Sequence, residues 1–187
     1  SVHNLDSAEQ IVPLLIKLFA PKSVVDFGCG LGTFLNCFKS AGVNTVLGID
    51  GPWVNKNLLY KFLKPDEFKE WDLENKVELN QKFDLVISLE VAEHLSEDSA
   101  DTFIETLIDA GTLIVFGAAI PFQGGQNHLN EQWIDYREKK FNKHNYVMHD
   151  ILRPIFWDNK KIFWWYKQNM ALFSHKDFKL TDQQNNL

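Results

Sequence analysis

Three glycines at alternate positions, Gly28, Gly30 and Gly32, follow the apolar stretch Ser23-Val24-Val25-Asp26-Phe27, and an acid, Asp50, closes the next apolar stretch. Glycine lets a backbone come close against a ligand, and a carboxylate at a strand end can accept hydrogen bonds from both hydroxyls of a ribose. Asp72 and Glu90 repeat the placement after two later apolar stretches. A second kind of chemistry is offered by His128, in Gln123-Gly124-Gly125-Gln126-Asn127-His128-Leu129-Asn130-Glu131. Imidazole titrates near neutral pH and can take a proton from a hydroxyl, and Glu131 could orient it. Glu93 and His94 read as the opening of a helix, where the helix dipole alone would stabilise the carboxylate.

These residues need elements to hold them. Ile11, Leu14, Leu15 and Leu18 repeat at helical spacing, which predicts a helix near 6–20 with Asp6 to Gln10 supplying oxygens to its first turn. Strand (23–27), glycine loop, helix (33–40) and strand (44–50) form a βαβ unit, and a third strand is expected at 68–72. Phe83 to Leu89 is the near-continuous apolar run of a strand buried on both faces. Ser96 is expected to cap a helix carrying Ala100, Phe103, Ile104, Leu107 and Ile108, ended by Gly111. A fifth strand (112–116), a loop (118–127), a helix from Asn130 to Lys143 with Trp133, Ile134, Arg137 and Phe141 on one face, strands at 146–152 and 169–174, and a frayed tail complete the reading. Alternating strands and helices predict an α/β fold with a doubly wound, mostly parallel sheet and helices on both faces. Such sheets bind ligands at the carboxyl ends of their strands, where the unusual residues fall.

The 187 residues fit one domain: an N-terminal helix (1–20), a cofactor-binding core (21–118), an acceptor-side region (119–180) and a tail (181–187). The chain starts at Ser1 rather than Met, which suggests a piece of something longer with a neighbouring domain. A net charge of -6 and only two arginines, Arg137 and Arg153, argue against a nucleic-acid partner, since phosphate tracks need dense positive charge. Residues 11–20 are too short a run for a membrane span and lack the flanks of a signal peptide. Cys29 and Cys37 have no disulfide or zinc spacing, so a reducing, cytoplasmic setting and no metal are expected. Cys29 itself reads as a small filler in the loop. Oligomeric state leaves no trace in the sequence.

Two nucleotide cofactors compete for the glycine pattern. A dinucleotide fingerprint needs glycine where this chain has Thr33, whereas GxGxG preceded by Asp26 suits a cofactor with an α-amino group. Val25-Asp26-Phe27-Gly28-Cys29-Gly30-Leu31-Gly32-Thr33-Phe34 resembles motif I of class I S-adenosylmethionine-dependent methyltransferases, and residues 83–95 resemble their post-motif strand and its exit. The resemblance covers roughly residues 20–118. It implies a Rossmann-like seven-stranded sheet with a reversed final strand. It also implies that the loop from Gly28 through Cys29 and Gly30 holds the methionine part, Asp50 with Gly51 the ribose, Asp72 with Leu73 the adenine, and Leu89 with Glu90 the methionine end of the pocket. Trp53, just past Asp50, could stack on adenine.

The expected function is in-line transfer of the sulfonium methyl of S-adenosylmethionine, leaving S-adenosylhomocysteine. The favoured acceptor is a hydroxyl on a sugar, nucleotide-sugar or other polar small molecule, with His128 as base and Glu93 and Glu131 as weaker candidates. Alternatives are N-methylation of a small-molecule or protein amine, or a cofactor-binding module without activity that acts as a scaffold.

Overall fold

A computed structural model describes residues 5–185. Its centre is a seven-stranded sheet in the order β3-β2-β1-β4-β5-β7-β6, built from β1 (Ser23–Phe27), β2 (Thr45–Asp50), β3 (Phe68–Glu70), β4 (Leu85–Leu89), β5 (Leu113–Gly117), β6 (Tyr146–His149) and β7 (Ala171–His175). Only β7 is antiparallel to its neighbours β5 and β6, so the reversed final strand is present. The eight α-helices among the described residues are α1 (Asp6–Phe19), α2 (Thr33–Ser40), α3 (Lys56–Leu59), α4 (Ala100–Ala110), α5 (Ile134–Asn142), α6 (Leu152–Phe156), α7 (Trp164–Asn169) and α8 (Asp182–Asn185), and one 3-10 turn, Pro65–Glu67, precedes β3. None is long and apolar enough to cross a membrane.

Strand alternation divides the core in two. Val24, Val46, Leu85, Ile87, Val115 and Leu172 face α1, α2, α3 and α6, while Val25, Ile49, Val86, Ile114, Phe116 and Phe173 face α4 and α5. Because β1 sends its helix to one face and β4 sends its helix to the other, the chain reverses between them and leaves a crevice at their carboxyl ends. β4 and β5 are buried along their whole length, as their continuous apolar sequences require.

Several boundaries differ from the sequence reading. The first turn of α1 follows Leu5 and has no side-chain cap; Ser7 is buried and its hydroxyl accepts the N–H of Phe163 (3.0 Å). Ser96 does not cap α4, which begins later. Its N–H and hydroxyl both donate to Glu74 (2.6 and 2.7 Å). Glu93 and His94 therefore lie in a turn well before the helix, and the helix dipole does not account for Glu93. The helix expected from Asn130 starts at Ile134, because Asn130 is held in the preceding loop by tertiary hydrogen bonds, and Trp133 is exposed rather than on the inner face. β6 ends at His149, and Leu152 instead begins α6 and enters the core. The tail is not frayed at Gln184, whose amide is buried and donates to the Leu18 carbonyl (2.6 Å). Asn186 lies outside the described residues.

Aromatic side chains unite the second layer: Phe141 of α5 stacks on Phe173 of β7 at 4.0 Å and meets Phe116 of β5 edge-on at 5.5 Å. Truncating this fully buried ring leaves a cavity that rigid strands cannot close. Phe141→Ala should lose about 3–5 kcal/mol in urea unfolding; a loss under about 1 kcal/mol would show that α5 contributes little to the core.

Candidate active site

The glycine loop leaves β1 and is held from below by β2. Gly28 donates to the Ile49 carbonyl (2.7 Å), Gly30 donates to Oδ2 of Asp50 (2.7 Å) and Gly51 donates to Oδ1 of the same carboxylate (2.7 Å). One buried acid thus ties two strand-end loops together, and the Trp53 side chain also hydrogen-bonds it. Gly28 has φ +80, and a Cβ there would run into the Val91 side chain, so glycine is required where the loop meets the turn after β4. The Cys29 thiol sits over Gly48, in the space a Cβ there would fill, so it packs against the sheet as a filler.

Asp26 is buried beneath the loop, and desolvation, then the nearby Asp50 charge, pushes its carboxyl up to about 8. The Asp50 carboxyl is also raised by burial, opposed by the Gly30 and Gly51 hydrogen bonds. Trp53 is 70% exposed and lays its ring against Gly51 beside Asp50, where an edge-on or stacked partner could reach it. Asp72 is exposed, and its oxygens accept from the Glu74 N–H and the Asn75 amide (3.0 Å each), which makes it the organiser of its own turn. Leu73 beside it is buried in the core with Val77.

On the other side of the crevice, Leu89 is buried and Glu90 adopts φ +57, a left-handed conformation costly for a side-chain-bearing residue. Its carboxylate accepts from Asn169 (2.8 Å) and Gln123 (2.8 Å), and Asn169 also donates to Gln123 (2.8 Å), closing a triangle that joins β4, the loop after β5 and α7. Glu93 is 0% exposed, yet neither carboxylate oxygen has a hydrogen-bond partner. Burial and the neighbouring Glu90 push its carboxyl upward.

The loop carrying His128 is fastened to the same turn. The Glu93 carbonyl accepts N–H groups from Leu129 (2.7 Å) and Asn130 (3.0 Å), and Arg137 donates to the Ala92 and Asn130 carbonyls (3.3 and 2.8 Å). Glu131 gathers the rest, accepting from Phe122, Gly124 and Nδ1 of His128 (3.0, 3.0 and 2.7 Å). The His128 contact, followed by those backbone bonds, holds the Glu131 carboxyl below its usual range. His94 Nδ1 meets the Asn127 carbonyl at 3.2 Å, and the His94 and His128 rings stand edge to face at 4.9 Å. Burial lowers the His94 pKa. One ligand atom each from Glu93, His94 and His128 lies within 4.8 Å of the others, a set that could hold a metal ion and that the expectation of no metal did not foresee. The reason is plain: two of the residues are adjacent and the third is on a distant loop, so no ligand spacing exists in the chain.

The structure therefore brings Asp26, Gly28, Gly30, Asp50, Gly51 and Trp53 to one side of the crevice and Glu90, Glu93, His128 and Glu131 to the other, while Asp72 accepts hydrogen bonds within its own exposed turn and Cys29 packs against the sheet. Sequence reasoning missed Gln123, Asn169 and Tyr166. Burial, with Glu90 and Asp26 close by, pushes the Tyr166 phenol upward, placing its hydroxyl near both sides of the crevice. No local motif marks these residues, because they arrive from the loop after β5 (Gln123) and from α7 (Tyr166 and Asn169), far along the chain from β4. A cavity of about 160 Å³ lined by Phe116, Ala118, Trp133, Arg137, Arg153 and Asn169 adjoins the Glu90 triangle. A larger open depression of about 520 Å³, including Asn44, Thr45, Glu78 and Phe83, lies at the amino ends of the strands, away from all of this.

A Rossmann-like sheet with a glycine loop, a strand-end acid and a crevice at its switch point defines a nucleotide-cofactor enzyme domain. A family model described as a methyltransferase domain matches residues 4–159, and the chain belongs to that class I S-adenosylmethionine-dependent methyltransferase family. Among solved structures, the methyltransferase domain of bacterial CtHen1-C is 18% identical with a TM-score of 0.64, covering 92% of this chain and 99% of that one. The small RNA methyltransferase HEN1 is 18% identical with a TM-score of 0.64, over 94% of this chain and 26% of that one. An O-methyltransferase family protein from Burkholderia thailandensis is 13% identical with a TM-score of 0.62, over 90% of this chain and 56% of that one. No curated protein matches the sequence.

The raised Asp26 has a consequence for stability. Between the ordinary carboxyl value of 3.8 and about 8, the folded state keeps a proton that the unfolded state has released, so this group lowers stability as pH rises through that window and costs most above it. Asp26→Asn should raise Tm by about 5 °C or more at pH 8.5 and by progressively less toward pH 4. An equal effect at both ends of the pH range would mean that Asp26 is not held protonated.

Proposed function

We propose that the chain, an S-adenosylmethionine-dependent methyltransferase, transfers the methyl group to a hydroxyl of a polar small molecule, a sugar or nucleotide-sugar being the favoured class. The observation that carries this reading is the convergence of His128, His94 and Glu93 on the acceptor side of the crevice, across from the glycine loop. A hydroxyl needs help to become a nucleophile, and a free amine does not. The Glu131 carboxylate can only accept a hydrogen bond, so the neutral His128 ring carries its proton on Nδ1 and leaves a lone pair on Nε2, which lies against Gly125.

In the reaction the acceptor hydroxyl loses its proton at this cluster, its oxygen bonds to the methyl carbon, and the carbon–sulfur bond breaks in line to leave S-adenosylhomocysteine. The cofactor is already activated, so most of what the protein contributes is alignment. In this reading Asp26 meets the cofactor's α-amino group, Asp50 with Gly51 the ribose hydroxyls, and Trp53 the exposed face of the adenine. The acidic surface and the presence of only two arginines, both directed into the fold or into local pairs, support a small acceptor over a nucleic-acid one. A tight RNA complex with steep salt dependence would overturn that part.

Two substitutions separate the cofactor and acceptor sides. Asp50→Ala removes bonds to a charged group worth roughly 1.5–3 kcal/mol and should weaken S-adenosylmethionine binding about ten- to a hundredfold in calorimetry. His128→Ala should cut turnover of a hydroxyl acceptor by ~10²–10⁴ with nearly unchanged cofactor affinity. A mutant that keeps full turnover but melts earlier would assign His128 a purely structural role and favour an amine acceptor.

A further inference from the structure

Three observations about the acceptor-side cluster are not explained by folding. The Glu93 side chain is 0% exposed with both oxygens unpartnered, an expensive arrangement that native structures normally avoid. Both neighbouring imidazoles are set in one tautomer by groups that can only accept: the Asn127 carbonyl on Nδ1 of His94 and the Glu131 carboxylate on Nδ1 of His128. Each ring is left with an Nε2 lone pair, and an Nδ1–H bonded to a carbonyl or carboxylate is the usual outer-shell support of a metal-ligating histidine. Finally, three of the five described non-glycine residues with positive φ are Glu90, Phe122 and Asn127, so backbone strain is gathered around this cluster.

We propose that Glu93, His94 and His128 are ligands of a single divalent first-row transition metal ion, and that the acceptor hydroxyl completes its coordination. Two imidazole nitrogens and one carboxylate oxygen suit Mn²⁺, Co²⁺ or Zn²⁺ better than Mg²⁺, which prefers oxygen ligands and water. With metal–ligand bonds of about 2.0–2.2 Å, three donors around one ion lie within about 3.8 Å of one another, so the donors, now within 4.8 Å, need to close by up to about 1 Å. The ion satisfies the orphaned Glu93 carboxylate and bridges the turn after β4 to the loop after β5. This deepens the hydroxyl reading above. The ion lowers the pKa of the bound hydroxyl, whose proton passes to solvent water, and His128 then holds the metal rather than the proton. Glu131 is a positioning residue that fixes the His128 ring.

The test uses the whole chain and the metal alone, without any acceptor. Co²⁺ titrated into the metal-stripped protein should bind one ion per chain with the visible absorption of a nitrogen and oxygen site, and Mn²⁺ or Zn²⁺ should displace it. Glu93→Gln and His94→Ala should each weaken Co²⁺ binding at least tenfold, and Glu131→Gln by about 10–100-fold. Glu93→Gln removes an unpartnered buried carboxylate and is expected to fold, with His94→Ala as the second variant should it not. Absence of Co²⁺ binding at millimolar concentration, or binding unchanged in both variants, overturns the metal site. Methyl transfer to a hydroxyl that persists after chelation would also overturn it while leaving the methyltransferase reading intact, with His128 then acting as the base.

Discussion

The Glu93 carbonyl takes N–H groups from both Leu129 and Asn130, and that double hydrogen bond decides where the acceptor-side loop can lie. It places His128 beside His94, lets Glu131 reach back to His128, and leaves Asn130 ahead of the helix rather than in it. Arg137 reinforces it from α5 by donating to carbonyls on both sides of the junction. Side chains on two loops can hold a defined geometry only if the loops are rigidly joined, and backbone hydrogen bonds inside a desolvated region do this without the rotamer freedom of a side-chain tether.

Four acids crowd the carboxyl ends of β1, β2 and β4, and they are treated differently. Asp50 is satisfied by backbone N–H groups and organises the glycine loop. Glu90 is satisfied by two amides, Gln123 of the loop after β5 and Asn169 of α7. Asp26 and Glu93, one on each side of the crevice, are the acids pushed up to about 8, first by burial and then by a neighbouring acid. Strongly perturbed acids gather at functional sites, and these two flank the crevice at the sheet switch point. The stability given up by burying these carboxylates is offset by the large apolar layers on both faces of the sheet.

What was legible in the chain follows from short-range physics. The glycine loop after an apolar run, Asp50 at the end of the next run, the fully apolar β4 and the periodic α4 each reflect a local rule of backbone freedom or burial, so their placement in a doubly wound sheet could be read directly. The reversed β7 and the roles at the glycine loop came through the family resemblance rather than from periodicity. The long apolar alternation of the last third located its strands only loosely, since Leu152 serves a helix and Tyr146 a strand with no local difference to separate them.

Tertiary structure alone decided the chemistry on the acceptor side. Glu93 looked like a helix-opening acid because its neighbours suit a helix start, but its turn is bound by hydrogen bonds to residues far along the chain. Gln123, Asn169 and Tyr166 carry no motif because amides and a phenol acquire meaning only through the partner they meet. The ligand set Glu93, His94 and His128 exists only once β4 and β5 lie side by side. The sequence by itself determined which residues could bind a nucleotide, because that site is built from consecutive elements of one βαβ unit. The fold decided which groups face the acceptor, because those come from loops whose positions depend on strand order and on buried hydrogen bonds between residues distant in sequence.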